Sequence, residues 1–315
     1  MDVRLLSAEE IQRLLEPDAL LEALAVELSA LSAGQITAPS RSELSVPDAG
    51  SLLAMPAWRP GREVTIKLVS VFHGNAARNL PGHHALICLF DSGTGEPLCI
   101  MDGTYITAMR TAGVSALATR LLAREDARVL AIVGAGVQGE SHLKLVGRVR
   151  DFAEVRIASR DPGHAARLAS ADARARAVSS IEGAVRGADV ICLCTNASEP
   201  VLRGEWLAPG AHVTSVGYHP PSGELDRATI ERGRLFVETR LAFAPPPAGC
   251  GELAAIDAAH GTELGDLLRG LRPGRHSADE ITVFKSMGHA AEDMAAASLV
   301  YSRAVREGVG RLVEL

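Results

Sequence analysis

The chain has no apolar run approaching the length of a membrane span. Its N-terminus, MDVRLLSAEEI, carries acids where a secretory signal needs a basic start and an apolar core. These absences argue against a membrane partner and against export, and a cytoplasmic location is expected. The chain also lacks a dense Lys/Arg block. With 32 basic and 38 acidic residues its formal net charge is −6, so there is no electrostatic basis for binding nucleic acid or an anionic membrane. Cysteine is scarce. The five (Cys88, Cys99, Cys192, Cys194 and Cys250) are odd in number and lie mostly inside apolar segments, as buried free thiols do. Cys192 and Cys194, in DVICLCT, fall on one face of a probable strand, with no further ligand types nearby, so no metal site is expected. What remains is a chain of 315 residues, 47% hydrophobic and 22% charged, long enough for two domains with real cores and suited to a small-molecule partner.

The most informative stretch runs from Arg128 to Ser159. The apolar run Val129 to Val133 reads as a buried strand that breaks at Gly134-Ala-Gly136-Val137-Gln138-Gly139 into a helix, and a second strand follows at Val155 to Ser159. This is the dinucleotide fingerprint in its expected strand-turn-helix context. The first glycine permits the turn, the second lets backbone approach a pyrophosphate, and the third lets the helix pack on the strand. The acid that grips the ribose 2′-hydroxyl of NAD belongs at the end of the second strand, but Ser159 and Arg160 stand there. A neighbouring arginine accommodates the 2′-phosphate of NADP. Asp161, before Pro162, suits a helix cap better than a ribose contact. NADP(H) is therefore the expected cofactor, with NAD(H) the alternative.

Upstream, Ser7 to Glu10 matches a capping box for a helix through Leu15, and Pro17 opens a second helix to about Ser32. A small-residue linker, Gly34 to Ser40, leads to Arg41. Candidate strands at 51–56, 64–72, 85–91 and 98–101 suggest an antiparallel or mixed sheet. In VTIKLVSVF both faces are largely apolar, and Lys67 falls within the buried pattern. Its ammonium must find an anion, lose its proton, or reach the surface along its own stem. A helix is expected over Gly103 to Ala123, with Arg110 on one stripe with Ile106, Gly113, Leu117 and Leu121. A guanidinium there fits either a bidentate clamp on a carboxylate or phosphate, or a structural ion pair.

Downstream, the α/β alternation continues with a helix at 181–186, strands at 189–195, 212–217 and 234–238, and a helix from about Asp226. Thr195 to Ser198 and Gly217 to Pro221 follow strand ends, where a parallel sheet binds ligands. Three consecutive prolines mark Phe243 to Gly251 as a surface loop. Lys285 to Val305 reads as a loop turning into an alanine-rich helix.

Lys67, Asn79-Leu-Pro, Asp102-Gly-Thr, Arg110-Thr111-Ala112, the GAGVQG turn and KSMGHAAEDMA, in this order and spacing, resemble the ornithine cyclodeaminase/mu-crystallin family over nearly the whole chain. The resemblance implies an α/β fold with a Rossmann dinucleotide-binding domain (120–290) inserted in an α+β substrate and dimerisation domain (1–119 plus 291–315), working as a homodimer. It also implies hydride transfer between a nicotinamide and the α-carbon of an amino or imino acid. By position, Arg41, Lys67 and Arg110 would bind the substrate carboxylate, which would give the buried cations their anion. Arg110, Thr111, Thr195 and Ser286 would join the fingerprint and Ser159-Arg160 in holding the cofactor. Lys67 would also serve as proton donor. The ornithine-cyclising members carry an aspartate where this chain has His219, a second candidate catalytic group. That departure points to reduction of cyclic ketimines such as pyrroline-2-carboxylate or piperideine-2-carboxylate. Cyclodeaminase, alanine dehydrogenase and a protein that merely retains NADPH stand as alternatives.

Overall fold

Ser7 and Glu10 close the expected capping box: the Ser7 hydroxyl accepts from the Glu10 N–H at 3.3 Å, and the Glu10 carboxylate accepts from the Ser7 N–H at 2.8 Å. The structure, a computed structural model, describes residues 2–78 and 80–314. Asn79, the first residue of the Asn-Leu-Pro motif, lies outside the described residues.

In chain order the first elements are β1 (Asp2–Leu6), α1 (Ala8–Leu14), α2 (Pro17–Ser32), β2 (Ser42–Val46), β3 (Gly50–Ala57), β4 (Val64–Phe72), β5 (His83–Phe90), β6 (Pro97–Asp102) and α3 (Gly103–Leu122). Then come β7 (Val129–Val133), α4 (Val137–Val146), β8 (Glu154–Ala158), α5 (Pro162–Ala169), β9 (Ala175–Ala177), α6 (Ile181–Val185), β10 (Val190–Leu193), β11 (His212–Ser215), α7 (Arg227–Arg232) and β12 (Arg234–Val237). The last are β13 (Gly261–Glu263), α8 (Leu264–Leu268), β14 (Thr282–Lys285), α9 (Ala290–Glu307) and β15 (Arg311–Glu314). Among the described residues no helix is long and apolar enough to cross a membrane.

The chain divides into two compact units. One is built from the residues through Arg110 together with those from His289 onward, and the other runs from Thr111 to Gly288. The first boundary, between Arg110 and Thr111, falls inside α3.

In the discontinuous unit, seven strands pair in the order β15-β1-β6-β5-β4-β3-β2. Strand alternation sends Met55, Ala57, Val69 and Ala85 to one face, where they pack on Ala290 and Met294 of α9. Lys67 shares that inner face, opposite Met55 and Ile87. On the outer face the row Ala54, Leu68, Leu86 crosses β3, β4 and β5, and Leu52 and Leu86 are 41% and 52% exposed. The terminal strands β1 and β15 and the edge strand β2 were not expected from the sequence. They are short, and β2 is exposed throughout, so it carries no burial pattern to read.

In the continuous unit eight strands, all parallel, run in the order β13-β12-β14-β11-β10-β7-β8-β9. The order reverses at β7, which lies between β8 and β10. That topological switch point opens the crevice where such sheets take their ligands. Strand β14, also unexpected, sits between β11 and β12 with all four residues buried, including Lys285. The three prolines Pro245, Pro246 and Pro247 are exposed, as a surface loop requires. All five cysteines are free, and burial pushes the Cys192 thiol up to about 12, as expected for a packing residue.

Candidate functional site

Only three lysines occur in the chain, and two of them, Lys67 and Lys285, are buried. Each has an anion. Lys67 Nζ is 2.8 Å from Asp293 Oδ2 and donates to Oδ1 at 3.0 Å. Arg110 Nε donates to the same Oδ1 at 3.1 Å, and Arg110 Nη1 donates to Glu292 Oε2 at 2.7 Å. Both acids sit in the first turn of α9 and are fully buried. The counter-ions that the sequence reading assigned to a substrate carboxylate are therefore supplied in the first instance by the protein. The internal ion pair is formed, and both cations belong to it.

Burial lowers the Lys67 pKa to about 8 against the opposing pull of Asp293, with the Arg110 charge lowering it further. Burial would raise the Asp293 carboxyl, but Lys67 and Arg110 outweigh it and keep its pKa below the usual value. Glu292 has a second task. Its Oε1 accepts the His289 N–H at 2.9 Å, while the His289 ring accepts the Ala291 N–H through Nδ1 at 3.1 Å, so the two form a capping box that starts α9. Burial, then the Arg41 and Arg110 charges, bring the His289 pKa down to about 4. Arg41, half-buried just before β2, thus lies within electrostatic reach of the same cluster.

In the continuous unit the glycine turn has the geometry its pattern predicts. Gly134 has φ +103°, and a Cβ there would stand 2.4 Å from the Cys194 carbonyl oxygen. A Cβ on Gly139 would stand 2.0 Å from the Gly134 carbonyl oxygen. A Cβ on Gly136 would meet nothing within 4 Å. The outer two glycines are thus demanded by the fold. Gly136, exposed at the N-cap of α4 with no side-chain cap, leaves open backbone where a pyrophosphate fits. Val137 beside it is 67% exposed, and the Gln138 carbonyl accepts from His142 Nδ1 at 2.7 Å. Strand β8 ends at Ala158. Ser159 follows, half-buried, and Arg160 is exposed. Asp161 caps α5, accepting from Gly163 and His164 at 2.8 and 3.4 Å, with Pro162 in the first turn. These residues fit a dinucleotide.

At the carboxyl ends of β10 and β11 the strands stop two residues earlier than the sequence suggested, because a buried acid takes over their hydrogen bonds. Glu224 accepts from Thr195 N (2.6 Å) and Oγ1 (2.8 Å), and from Ser215 Oγ and Gly217 N (both 2.8 Å). Lys285 donates to Ser215 Oγ at 3.0 Å and to the Gly217 carbonyl at 2.7 Å, and pairs with Glu252 Oε2 at 2.6 Å. Ser286 donates its hydroxyl to Glu238, which also accepts from the Met287 and Gly288 amides at 3.2 Å. His219 is half-buried, its Nδ1 2.9 Å from the Pro220 carbonyl. Thr111 is buried in α3.

The structure thus joins Lys67 and Arg110 through Asp293, with Arg41 near them. His219, Thr111, Thr195, Ser286 and the fingerprint residues belong to the other unit. Sequence reasoning missed Glu292, Asp293, His289 and Glu224. The signal for the first three was present in HAAED: a residue that can cap, an acid three positions later, and adjacent acids opening an otherwise small and apolar helix.

An all-parallel, dinucleotide-binding unit carried with a mixed-sheet unit that buries a lysine and an arginine on paired acids defines a nicotinamide dinucleotide-binding α/β protein. A profile of the ornithine cyclodeaminase/mu-crystallin family matches residues 1–308. The chain belongs to that family. The ketimine reductase mu-crystallin of Mus musculus is 40% identical over 304 residues, 94% of this chain and 96% of that one. Among solved structures, the Delta(1)-pyrroline-2-carboxylate reductase of Thermococcus litoralis, in complex with NADH and L-proline, matches with a TM-score of 0.91 at 32% identity, covering 99% of this chain and 100% of that one. An archaeal alanine dehydrogenase dimer with bound NAD matches with a TM-score of 0.90 at 29% identity, covering 100% of both chains.

Proposed function

We propose that the protein is an NAD(P)-dependent oxidoreductase of CH–NH groups, and specifically an NADPH-dependent reductase of cyclic ketimine carboxylates such as pyrroline-2-carboxylate or piperideine-2-carboxylate. The observation that carries this reading is the buried Lys67–Asp293–Arg110 network, in which a lysine with a pKa near 8 is held as an ammonium at neutral pH. The relatives named above as a ketimine reductase and a pyrroline-2-carboxylate reductase support it.

The glycine turn with Ser159 and Arg160 would hold the dinucleotide, whose reduced nicotinamide would supply a hydride to the imine carbon. Lys67 gives its proton to the imine nitrogen, so that C=N becomes CH–NH, and Asp293 holds the ammonium until transfer. Arg41 and Arg110 grip the carboxylate next to the reacting carbon. Arg110 is already fixed by Glu292 and Asp293, so little side-chain freedom is lost on binding. For the cofactor, Ser159 in place of an acid, Arg160 exposed beside it and Asp161 committed to a helix cap favour the 2′-phosphate of NADPH. The open apolar face over β3, β4 and β5 supports a homodimer.

The test is NADPH and NADH oxidation assayed against a panel of cyclic ketimines, with ornithine plus NAD in parallel. Ketimine-dependent NADPH oxidation is expected. Ammonia release from ornithine without net cofactor consumption, and no ketimine reduction, would replace the reductase with a cyclodeaminase.

A further inference from the structure

His289 is the one group of the buried cluster that the carboxylate-binding trio and the proton donor leave without a task. Its ring is fixed by an unusual constraint. Nδ1 accepts the Ala291 N–H at 3.1 Å, so in the neutral ring the hydrogen must sit on Nε2. The main chain of His289 is fixed as well, its N–H going to Glu292 Oε1, whose other oxygen holds Arg110. None of the hydrogen bonds among the described residues uses Nε2. The charged neighbours are Arg41, Arg110 and Asp293, with Glu292 in the same turn and Lys67 one carboxylate away.

Two arginines and burial disfavour an imidazolium, so the ring stays neutral through the physiological range. A neutral imidazole is a very weak acid. It therefore cannot act as the proton source, but it is a good fixed hydrogen-bond donor to an anion, as a neutral histidine can be in an enzyme site.

We infer that His289 is a substrate-binding residue, a neutral donor whose Nε2–H engages the carboxylate of the imino acid alongside Arg41 and Arg110. The inference rests on the ketimine-carboxylate reading above. It adds the role of the helix-capping histidine: the cap that starts α9 is at the same time the element that orients the donor, so the substrate carboxylate is met by two permanent cations and one uncharged N–H.

The experiment separates the cap from the donor. His289→Asn keeps a side chain that caps helices as well as any, and is too short to place an N–H where Nε2 stands. His289→Gln restores a longer neutral N–H donor. The probes are the cyclic ketimine in turnover and pyrrole-2-carboxylate, a planar carboxylate that is not reduced, in calorimetric binding to the NADPH-loaded protein. For His289→Asn, KM for the ketimine and Kd for pyrrole-2-carboxylate are expected to rise about tenfold to a hundredfold, the loss of one hydrogen bond to a charged group. The KM for NADPH, the melting temperature and the shape of the pH profile stay as in wild type, and His289→Gln recovers part of the loss.

Unchanged KM and Kd in His289→Asn overturn the inference, and so does the disappearance of a limb of the pH profile, which would make the ring a proton donor. Wild type that binds pyrrole-2-carboxylate but reduces no ketimine overturns the proposed reaction alone, since the Kd comparison still decides the role of His289. Wild type that does not bind the carboxylate overturns both.

Discussion

Asp293 and Lys67 are 226 positions apart in the chain, and their charged atoms meet at 2.8 Å in a fully buried site. The same carboxylate takes a hydrogen bond from Arg110, so one acid from the last helix steadies cations from a strand and from a second helix. Removing it strands two buried charges. Asp293→Asn is expected to cost about 3–5 kcal/mol of stability, read by chemical denaturation. The alkaline fall of the surviving activity should also move to lower pH than in wild type, because Asp293 is the main group that holds the proton on Lys67.

A second prediction concerns that proton. With the Lys67 pKa lowered to about 8 by burial, kcat/KM for ketimine reduction should be level at neutral pH and fall through a midpoint near 8 as the ammonium is lost. The linkage sign is the reverse of an ordinary ion pair. Between about 8 and the ordinary lysine value of 10.5 the unfolded chain binds more protons than the folded one, so this group makes the fold more stable as pH rises through that window. A profile that stays flat to pH 10 would remove Lys67 from proton transfer.

The glycine turn offers a contrast between fold and ligand. Gly134→Ala places a methyl group against the Cys194 carbonyl at positive φ and should lower stability by about 1–3 kcal/mol. Gly136→Ala puts its methyl into open space, so the melting temperature should hardly move while NADPH affinity drops at least about tenfold. Equal loss of stability in the two variants would mean that Gly136 serves packing instead.

On the proposed reading, the choice between NADPH and NADH turns on Arg160. Arg160→Ala is expected to weaken NADPH by about tenfold to a hundredfold, the value of a charge-assisted contact, and to leave NADH within about twofold. Dinucleotide fluorescence titrations measure both, and parallel changes would refute the phosphate assignment.

The open sheet face predicts assembly. Leu52→Glu with Leu86→Glu alters two exposed side chains, so the protomer should fold, and sedimentation should show a dimer turned to monomer. A wild-type monomer would dispose of the homodimer.

Much of this was legible in the sequence where one local rule dominates. The capping box at Ser7, the turn at Gly134 and the Asp161-Pro162 cap are fixed by neighbours in the chain, and each stands where the pattern puts it. Lys67 was readable as falling in a buried pattern because both faces of VTIKLVSVF are largely apolar, but its partner was not, since nothing in that strand announces an aspartate on the last helix. The same is true of Glu224, whose hydrogen bonds end β10 and β11 early. Strand β14 escaped notice because four buried residues carry no period to distinguish strand from helix.

The discontinuity of the first unit has a consequence for biosynthesis. A ribosome delivers Lys67 and Arg110 long before α9, so while the intervening residues are synthesised the two cations have neither of their acids. The continuous unit, Thr111 to Gly288, has all its strands and can form on the way. The Lys67–Asp293–Arg110 network is therefore among the last parts of the molecule to form, and a chain cut short before His289 would lack both of the acids that pair with the two cations.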